Sequence, residues 1–449
     1  MSARPVVERS DPDVTSCPPS YRRQHSSPGG GLTFVDFLPC CVNPGTVSSS
    51  PTFEPFRMLV QRANEWLKEH CMWEVKTCES VEFKASKSIN TELMTYCEYG
   101  KWSTCYMRGL RLWLVPRLDK SRPAQQLEYR NLVPQQMAPP AGSFGMPMFE
   151  TLQELLERYN KQLVHQPAPG CVLAVETQET NVPSFLDFDP DQSYWSAHGR
   201  RDRHFIFVVR VFYEVGSMVC EEIGVADFVP VRHSAGSMVS MPRYEPFSSV
   251  IARAAQWCSQ QSSLRFCNVQ TLEIKLKSDP SLDSSSESIS DRTVVDTQCM
   301  SYTERAKVAT FYVRVLRVAY IKELVPPEGG LPPSPPLALH CKTFMPLPLT
   351  QSVFMPEFEG LSATKKRVEA WINATGARVL SCETIAMRLF IGGEACAGIE
   401  SSFTFNSGKQ NEYWIFVLRV YLDGVYQEPP QEALPPVPEV CDDERCAIL

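Results

Sequence analysis

The chain has no run of 18 apolar residues, no block of basic residues and only seven histidines among its 449 positions. The first absence excludes a membrane-spanning helix, which needs about 20 consecutive apolar residues. The second, with a net charge of −7 from 44 basic and 51 acidic side chains, removes the counterion release that drives nucleic-acid binding, so nucleic acid is not an expected partner. His25, His70, His165, His198, His204, His233 and His340 form no HExxH, HxxxH or Cys/His spacing, which leaves no metal site and no cofactor to expect. There is no GxSxG elbow, P-loop, GxGxxG or kinase signature, so no catalytic residue is nominated and the reading leans away from an enzyme. The densest acid-and-imidazole neighbourhood, His198 with Asp187, Asp189, Asp191 and Asp202, reads as a solvated insert.

Seventeen cysteines are present, but the number is odd, no CxxC occurs and Cys40-Cys41 is the only adjacent pair. With a polar Ser/Pro/Arg-rich start from Met1 to Pro28 in place of a secretory signal, this predicts a cytosolic protein with reduced thiols rather than a disulfide framework. For the same reason the sequon Asn373-Ala374-Thr375 is not read as a glycosylation site. An apolar share of 43% and a charged share of 21% are those of a folded protein, and the length calls for several modules.

A repeat supplies them. A short apolar segment ending in proline recurs as Phe37-Leu38-Pro39, Leu132-Val133-Pro134, Phe228-Val229-Pro230 and Phe344-Met345-Pro346. An aromatic-Glu pair follows each: Phe53-Glu54, Phe149-Glu150, Tyr244-Glu245 and Phe358-Glu359. Thirteen residues after each aromatic stand Trp66, Gln162, Trp257 and Trp371. Between these markers apolar residues recur at helical spacing, as in Phe56, Leu59, Val60, Ala63 and Leu67. The fourth copy places Thr364 and Lys365 on that stripe, so its helix is expected to be the least buried. The Glu of each aromatic-Glu pair is expected in the first helical turn, at the positive end of the dipole.

After the helix the period becomes two, beginning near Val75, Val172, Leu264 and Val379. Each unit closes on a denser apolar run around Leu110-Trp113, Val209-Phe212, Leu316-Ala319 and Leu418-Tyr421, the composition of a strand covered on both faces. The expected class is therefore α+β, as four tandem β-α-β-β repeats paired into two pseudo-dimeric lobes, 1-2 and 3-4. The boundaries are a disordered head at 1–31, repeats at 32–118, 125–217, 221–323 and 339–426, a Pro-rich linker at 324–338 and a Pro-rich tail at 427–449. Inserts such as Phe185 to Arg203 and Ser278 to Ser290 absorb the length differences and read as loops.

Two polar columns run through the repeats. Glu79, Glu176, Gln270 and Glu383 stand early in the second strand, and Arg111, Arg210, Arg317 and Arg419 stand in the closing strand. A carboxylate in register with apolar neighbours needs a partner, and arginine supplies one bidentately. These are expected structural pairs, or ligand contacts where a copy opens onto a cavity. Lys365-Lys366-Arg367 reads as a solvated face.

The chain ends Cys446-Ala447-Ile448-Leu449. These four residues resemble the prenylated tails of G-protein gamma subunits and Rho/Rab-like GTPases. The resemblance implies a prenyltransferase as partner, a geranylgeranyl group on Cys446 followed by methylation, and peripheral attachment to a cytoplasmic membrane face. Asp442, Asp443 and Glu444 replace the usual basic stretch, so a second signal is expected, with Cys441 as its candidate palmitoylation site. The function expected is a non-enzymatic, membrane-tethered adaptor or scaffold for protein partners that the sequence does not name. The alternative is a small-molecule or lipid-binding protein with a pocket between paired repeats.

Overall fold

A computed structural model describes residues 31–438, apart from 47–49, 86–88, 99–102, 141–145, 184, 186–187, 199–201, 237–240, 279–291, 306–307, 323–335, 351–355, 390–397 and 407–411. The head, most of the Pro-rich linker, most of Ser278 to Ser290, and Cys441 and Cys446 thus lie outside the described residues.

Each repeat contributes an opening strand, a helix, a second strand, a short strand from its insert, and a closing strand. In repeat 1 these are β1 (Thr33–Phe37), α1 (Phe56–Glu69), β2 (Trp73–Ala85), β3 (Thr95–Glu98) and β4 (Ser103–Pro116). Repeat 2 supplies β5 (Leu127–Leu132), α2 (Leu152–Leu163), β6 (Ala168–Val182), β7 (Tyr194–His198) and β8 (Arg203–Val219). In repeat 3 the same series is β9 (Glu222–Phe228), α3 (Phe247–Ser259), β10 (Leu264–Ser278), β11 (Ser301–Glu304) and β12 (Thr310–Lys322). Repeat 4 has β13 (Leu339–Phe344), α4 (Leu361–Thr375), β14 (Val379–Arg388), β15 (Phe403–Asn406) and β16 (Glu412–Asp423).

The closing strand is the centre of each sheet. Along one edge it pairs antiparallel with its own second strand, with Glu79 opposite Arg111. Its other edge pairs first with the opening strand, Asp36 opposite Arg111, and then with a strand from the next repeat. Thus β7 of repeat 2 pairs with β4, β11 with β8, β15 with β12, and β3 of repeat 1 pairs with β16 of repeat 4. Being paired on both edges and covered on both faces, the closing strands bury Leu112, Val211, Leu316 and Val420 almost completely.

The four small sheets are arranged as a four-bladed β-propeller, with the second strands of neighbouring blades touching around the axis. The molecule is therefore mostly β, with one helix per blade, which corrects the α+β expectation. The two-lobe pairing is also overturned: repeat 4 trades a strand with repeat 1 as every other neighbour does, so the exchange runs evenly around a ring. Apolar clusters follow the same route, one of them joining Leu32, Phe34 and Trp113 to Phe344, Trp371 and Leu418. No helix among the described residues is long and apolar enough to cross a membrane.

The helices pack as their stripes require. α1 buries Phe56, Leu59, Val60, Ala63 and Leu67. Trp66, Trp257 and Trp371 meet the opening-strand phenylalanines Phe37, Phe228 and Phe344 edge to face, at 6.4, 5.8 and 6.0 Å between ring centroids. α4 is not the least buried helix. It buries Leu361, Thr364, Val368, Trp371 and Ile372, because Thr364 donates its hydroxyl to Glu359 and Lys365 reaches the carbonyl of Phe34 in repeat 1. Lys365-Lys366-Arg367 is accordingly no uniform solvated face, Arg367 being ion-paired with Glu359.

Glu54, Glu150, Glu245 and Glu359 do not enter the first turn, since the helices begin at Phe56, Leu152, Phe247 and Leu361. Each instead binds the arginine eight residues on, in the pairs Glu54–Arg62, Glu150–Arg158, Glu245–Arg253 and Glu359–Arg367. The same guanidiniums donate to the carbonyls of Leu38, Val133, Val229 and Met345, just before the motif prolines. This latch fixes the helix against the end of the opening strand. The helix N-termini are met by the next blade's insert: the N–H groups of Phe56, Leu152, Phe247 and Leu361 donate to the carbonyls of Asp191, Gln298, Glu400 and Glu92.

One further expectation changes. The tail is not free from Glu428: Trp371 donates its indole N–H to Glu428 at 2.9 Å, Lys342 pairs with the same carboxylate, and Leu434 packs against the core. Among the cysteines, the described ones other than Cys171 are free thiols.

Candidate functional site

The two polar columns meet at the seams between blades. Glu79 accepts the backbone N–H of Thr384, Glu176 that of Ser80, Gln270 that of Thr177 and Glu383 that of Thr271, at 2.5, 2.9, 2.8 and 2.7 Å. Each acceptor therefore reaches the preceding blade at the residue that follows that blade's own column member. The arginines converge on the same residues: Arg111, Arg210, Arg317 and Arg419 donate to the hydroxyls of Thr384, Ser80, Thr177 and Thr271 at 2.8, 2.7, 2.8 and 2.8 Å. A hydroxyl takes an N–H and gives an O–H at once, so Ser80, Thr271 and Thr384 bridge the two columns by their side chains, while Thr177 meets Gln270 through its backbone N–H and carbonyl.

Direct Arg-carboxylate approach occurs in two copies, Arg210–Glu176 and Arg419–Glu383, both at 4.0 Å. Arg111 and Arg317 use a closer partner, forming two-pronged pairs with Asp36 and Asp227 of the opening strands, each prong 2.7 Å. The corresponding residues in the other two opening strands are Asn131 and Thr343. Repeats 1 and 3 thus share one solution and repeats 2 and 4 another. Arg210 and Arg419 also lie over the rings of Phe56 and Phe247, at 3.7 and 3.5 Å.

Repeat 1 alone holds two carboxylates against one arginine, Asp36 and Glu79 on Arg111. Burial pushes the Glu79 carboxyl up to about 7, against the pull of Arg111 and of hydrogen bonds from Trp113 and Thr384. The eight column residues lie inside this network of bonds between blades. They are spent on joining blades.

The cavity lies elsewhere, at the end of the ring axis where the closing strands begin. Five residues before the arginine column stand Tyr106, Phe205, Tyr312 and Trp414, one from each blade, and all four line a cavity of about 90 Å³. The donated strands place Trp195, Tyr302, Thr404 and Tyr96 opposite them. Three of these cross-strand pairs stack: Tyr106–Trp195 at 5.5 Å, Phe205–Tyr302 at 4.8 Å and Tyr96–Trp414 at 6.2 Å.

Charge fills the space between the rings. Glu82, Glu98, Glu179, Glu273 and Glu304 line the cavity with Lys84 and Arg203. Lys84 lies 3.3 Å from Glu98 and faces the rings of Tyr96, Tyr106 and Trp414, while Arg203 pairs with Glu304. Despite burial, Lys84 and Arg203 hold Glu98 below the usual carboxylate range. Burial drives Glu179 the other way, up to about 8, with Glu304 and Glu82 adding repulsion. No group of His, Cys, Asp and Glu among the described residues could hold a metal ion.

Sequence reasoning missed this cavity. Its aromatic column repeats at a fixed offset from the arginines and was visible in principle, but the rings opposite lie in inserts read as loops. Phe185 to Arg203 in fact carries β7, and Asp191, from the acid-rich neighbourhood of His198, is a joint that accepts from Tyr129 and Asn131 at 2.8 and 2.7 Å. A second opening, a groove of about 890 Å³ between blades 2 and 3, is lined by Met137, Met146, Met148 and Met300. No known protein family, curated protein or solved structure matches the chain.

Proposed function

We propose that the protein is a non-enzymatic scaffold, a ring of four interlocked β-α-β-β units brought to a cytoplasmic membrane face by a prenyl group on Cys446. The observation that carries the scaffold over a binder with its pocket between repeats is that both polar columns are spent on bonds between blades at every seam. Arginine, hydroxyl and Glu or Gln close all four blade boundaries, which leaves outer surfaces for partners. A rigid ring suits display, because contacts on different blades keep a fixed separation.

The tether reading takes Leu449 as the carboxyl terminus. Pro438 is eight residues before Cys446, so the lipid reaches at most about 28 Å from the docked tail. A single lipid chain holds a protein reversibly, and the acidic residues at 442–444 add no attraction to an anionic leaflet. The test is intact-mass analysis and fractionation of wild type, Cys446→Ser and Cys441→Ser from prenylation-competent cells. The reading expects a geranylgeranyl mass on wild type, release of Cys446→Ser to the soluble fraction, and a smaller shift for Cys441→Ser. Identical fractionation of wild type and Cys446→Ser would end the tether.

A further inference from the structure

We propose that the axial cavity binds a small organic ammonium that also carries a hydrogen-bond acceptor, an amino alcohol being the simplest such molecule, with Glu179 as its anionic partner. The site is separate from the seams and goes beyond the scaffold reading.

The charges around the cavity are matched except at one place. Glu98 has Lys84 at 3.3 Å, Glu273 has Arg314 at 3.0 Å, Glu82 has Arg108 at 3.9 Å and Glu304 has Arg203. Glu179 has no cation within ion-pair distance among the described residues, and its side-chain partner is the hydroxyl of Tyr302. A carboxylate withdrawn from water without a counterion is costly, and an incoming cation relieves that cost. Burial of Glu179, which raises its pKa to about 8, is what such an unmatched group shows.

The walls select the kind of cation. Aromatic faces attract organic cations through the ring quadrupole, and the cavity is walled by the Tyr106–Trp195 and Phe205–Tyr302 stacks. A bare metal ion is disfavoured, because the carboxylates do not converge on one point. Five carboxylates against two lining cations disfavour an anion. Size limits the ligand to a few heavy atoms, since about 90 Å³ is less than the cavity of roughly 150 Å³ that holds benzene in an engineered protein.

An independent observation supplies the second half of the ligand. Trp414 is 7% exposed and forms part of the cavity wall, yet its indole N–H has no hydrogen-bond acceptor. A buried donor left unpaired is uncommon and calls for a bound group. An ammonium for Glu179 and an oxygen for Trp414 describe one molecule.

The experiment is calorimetric titration of the full chain with ethanolamine, n-propylammonium, ethylene glycol and glycolate. Ethanolamine is expected to bind at one site, more tightly than propylammonium, with the neutral and anionic compounds at least tenfold weaker. Glu179→Gln, which keeps an acceptor for Tyr302, is expected to weaken both amines about tenfold or more. Trp414→Phe, which keeps the ring, should weaken ethanolamine down to the level of propylammonium and leave propylammonium unchanged. Thermal melting of each variant checks that the ring is intact. Binding of glycolate or ethylene glycol as tight as that of ethanolamine, unchanged amine affinity in Glu179→Gln, or no amine binding up to about 50 mM, weaker than the millimolar range expected of so small a ligand, would overturn the proposal.

Discussion

Glu79 Oε1 accepts the backbone N–H of Thr384 at 2.5 Å, joining the first repeat to the fourth across 305 positions of chain. The same contact recurs at the other three seams, where Glu176, Gln270 and Glu383 reach Ser80, Thr177 and Thr271. Glu79 differs from the other two carboxylates, Glu176 and Glu383, in having an arginine that an aspartate, Asp36, already neutralises.

That surplus carboxyl makes stability depend on pH with a definite sign. In the folded protein Glu79 stays protonated up to about 7, against an ordinary 4.5. Between these values the folded state holds the extra proton, so its stabilisation is full below 4.5 and is lost as pH rises to about 7. Glu79→Gln combined with Trp113→Phe, which spares the indole N–H a facing amide, should flatten the curve by about 3 kcal/mol over that window. Urea unfolding at pH 5, 6, 7 and 8 measures it, and parallel curves for variant and wild type would disprove it.

Two arginines of similar connectivity should differ sharply in weight. Arg210 is fully enclosed and holds Ser80, Asn131 and the carbonyl of Pro190. Arg210→Met strands Glu176 without its cation and is expected to cost about 3–5 kcal/mol. Arg253 is 41% exposed, so Arg253→Met should cost under about 1 kcal/mol. Equal losses in denaturant midpoint would contradict the assignment.

Repeat 2 lacks both members of the edge-to-face pair, with Leu132 and Gln162 where the other blades have Phe and Trp. Installing Leu132→Phe and Gln162→Trp together should show a favourable coupling of about 0.5–1.5 kcal/mol relative to the single changes. A double-mutant cycle with no coupling would show that the pair is incidental.

The closing joint can be loosened from repeat 1. Glu92 accepts the N–H and hydroxyl of Ser362 at 3.0 and 2.7 Å, capping α4 from the neighbouring blade. Glu92→Ala should cost about 1 kcal/mol. It should also speed amide exchange in Thr95–Glu98 and the residues of Glu412–Asp423 paired with it more than in the three other donated strands. Uniform change across the ring would argue against a local joint.

What was legible in the sequence were the features set by local periodicity. The stripe from Phe56 to Leu67, the alternation after Val75 and the dense run ending at Trp113 each reflect which face meets a neighbour. The donated strands were not legible, because a segment such as Ser301–Glu304 is too short to carry a period and owes its shape to an edge in another repeat. The same limit hid the cavity, since Trp195 meets Tyr106 only through that exchange. The latch was readable as an arginine eight places after each Glu, but helix-dipole reasoning drew the Glu toward the helix end instead. Arg111 was sought with Glu79, and Asp36, three residues from the motif proline, was passed over although it stands opposite Arg111 on the strand's other edge.

The exchange of strands also sets an order of assembly on the ribosome. Repeat 1 cannot complete its sheet until β7 of repeat 2 has emerged, and the same delay passes along the chain. β3 waits longest, for its partner strand Glu412–Asp423 follows it by roughly 300 positions of chain. At about 5–20 residues per second that interval runs from a quarter of a minute to about a minute. For that time Thr95–Glu98 is a strand without its sheet, and the nascent protein is an open spiral that becomes a ring only once the closing strand of repeat 4 has emerged.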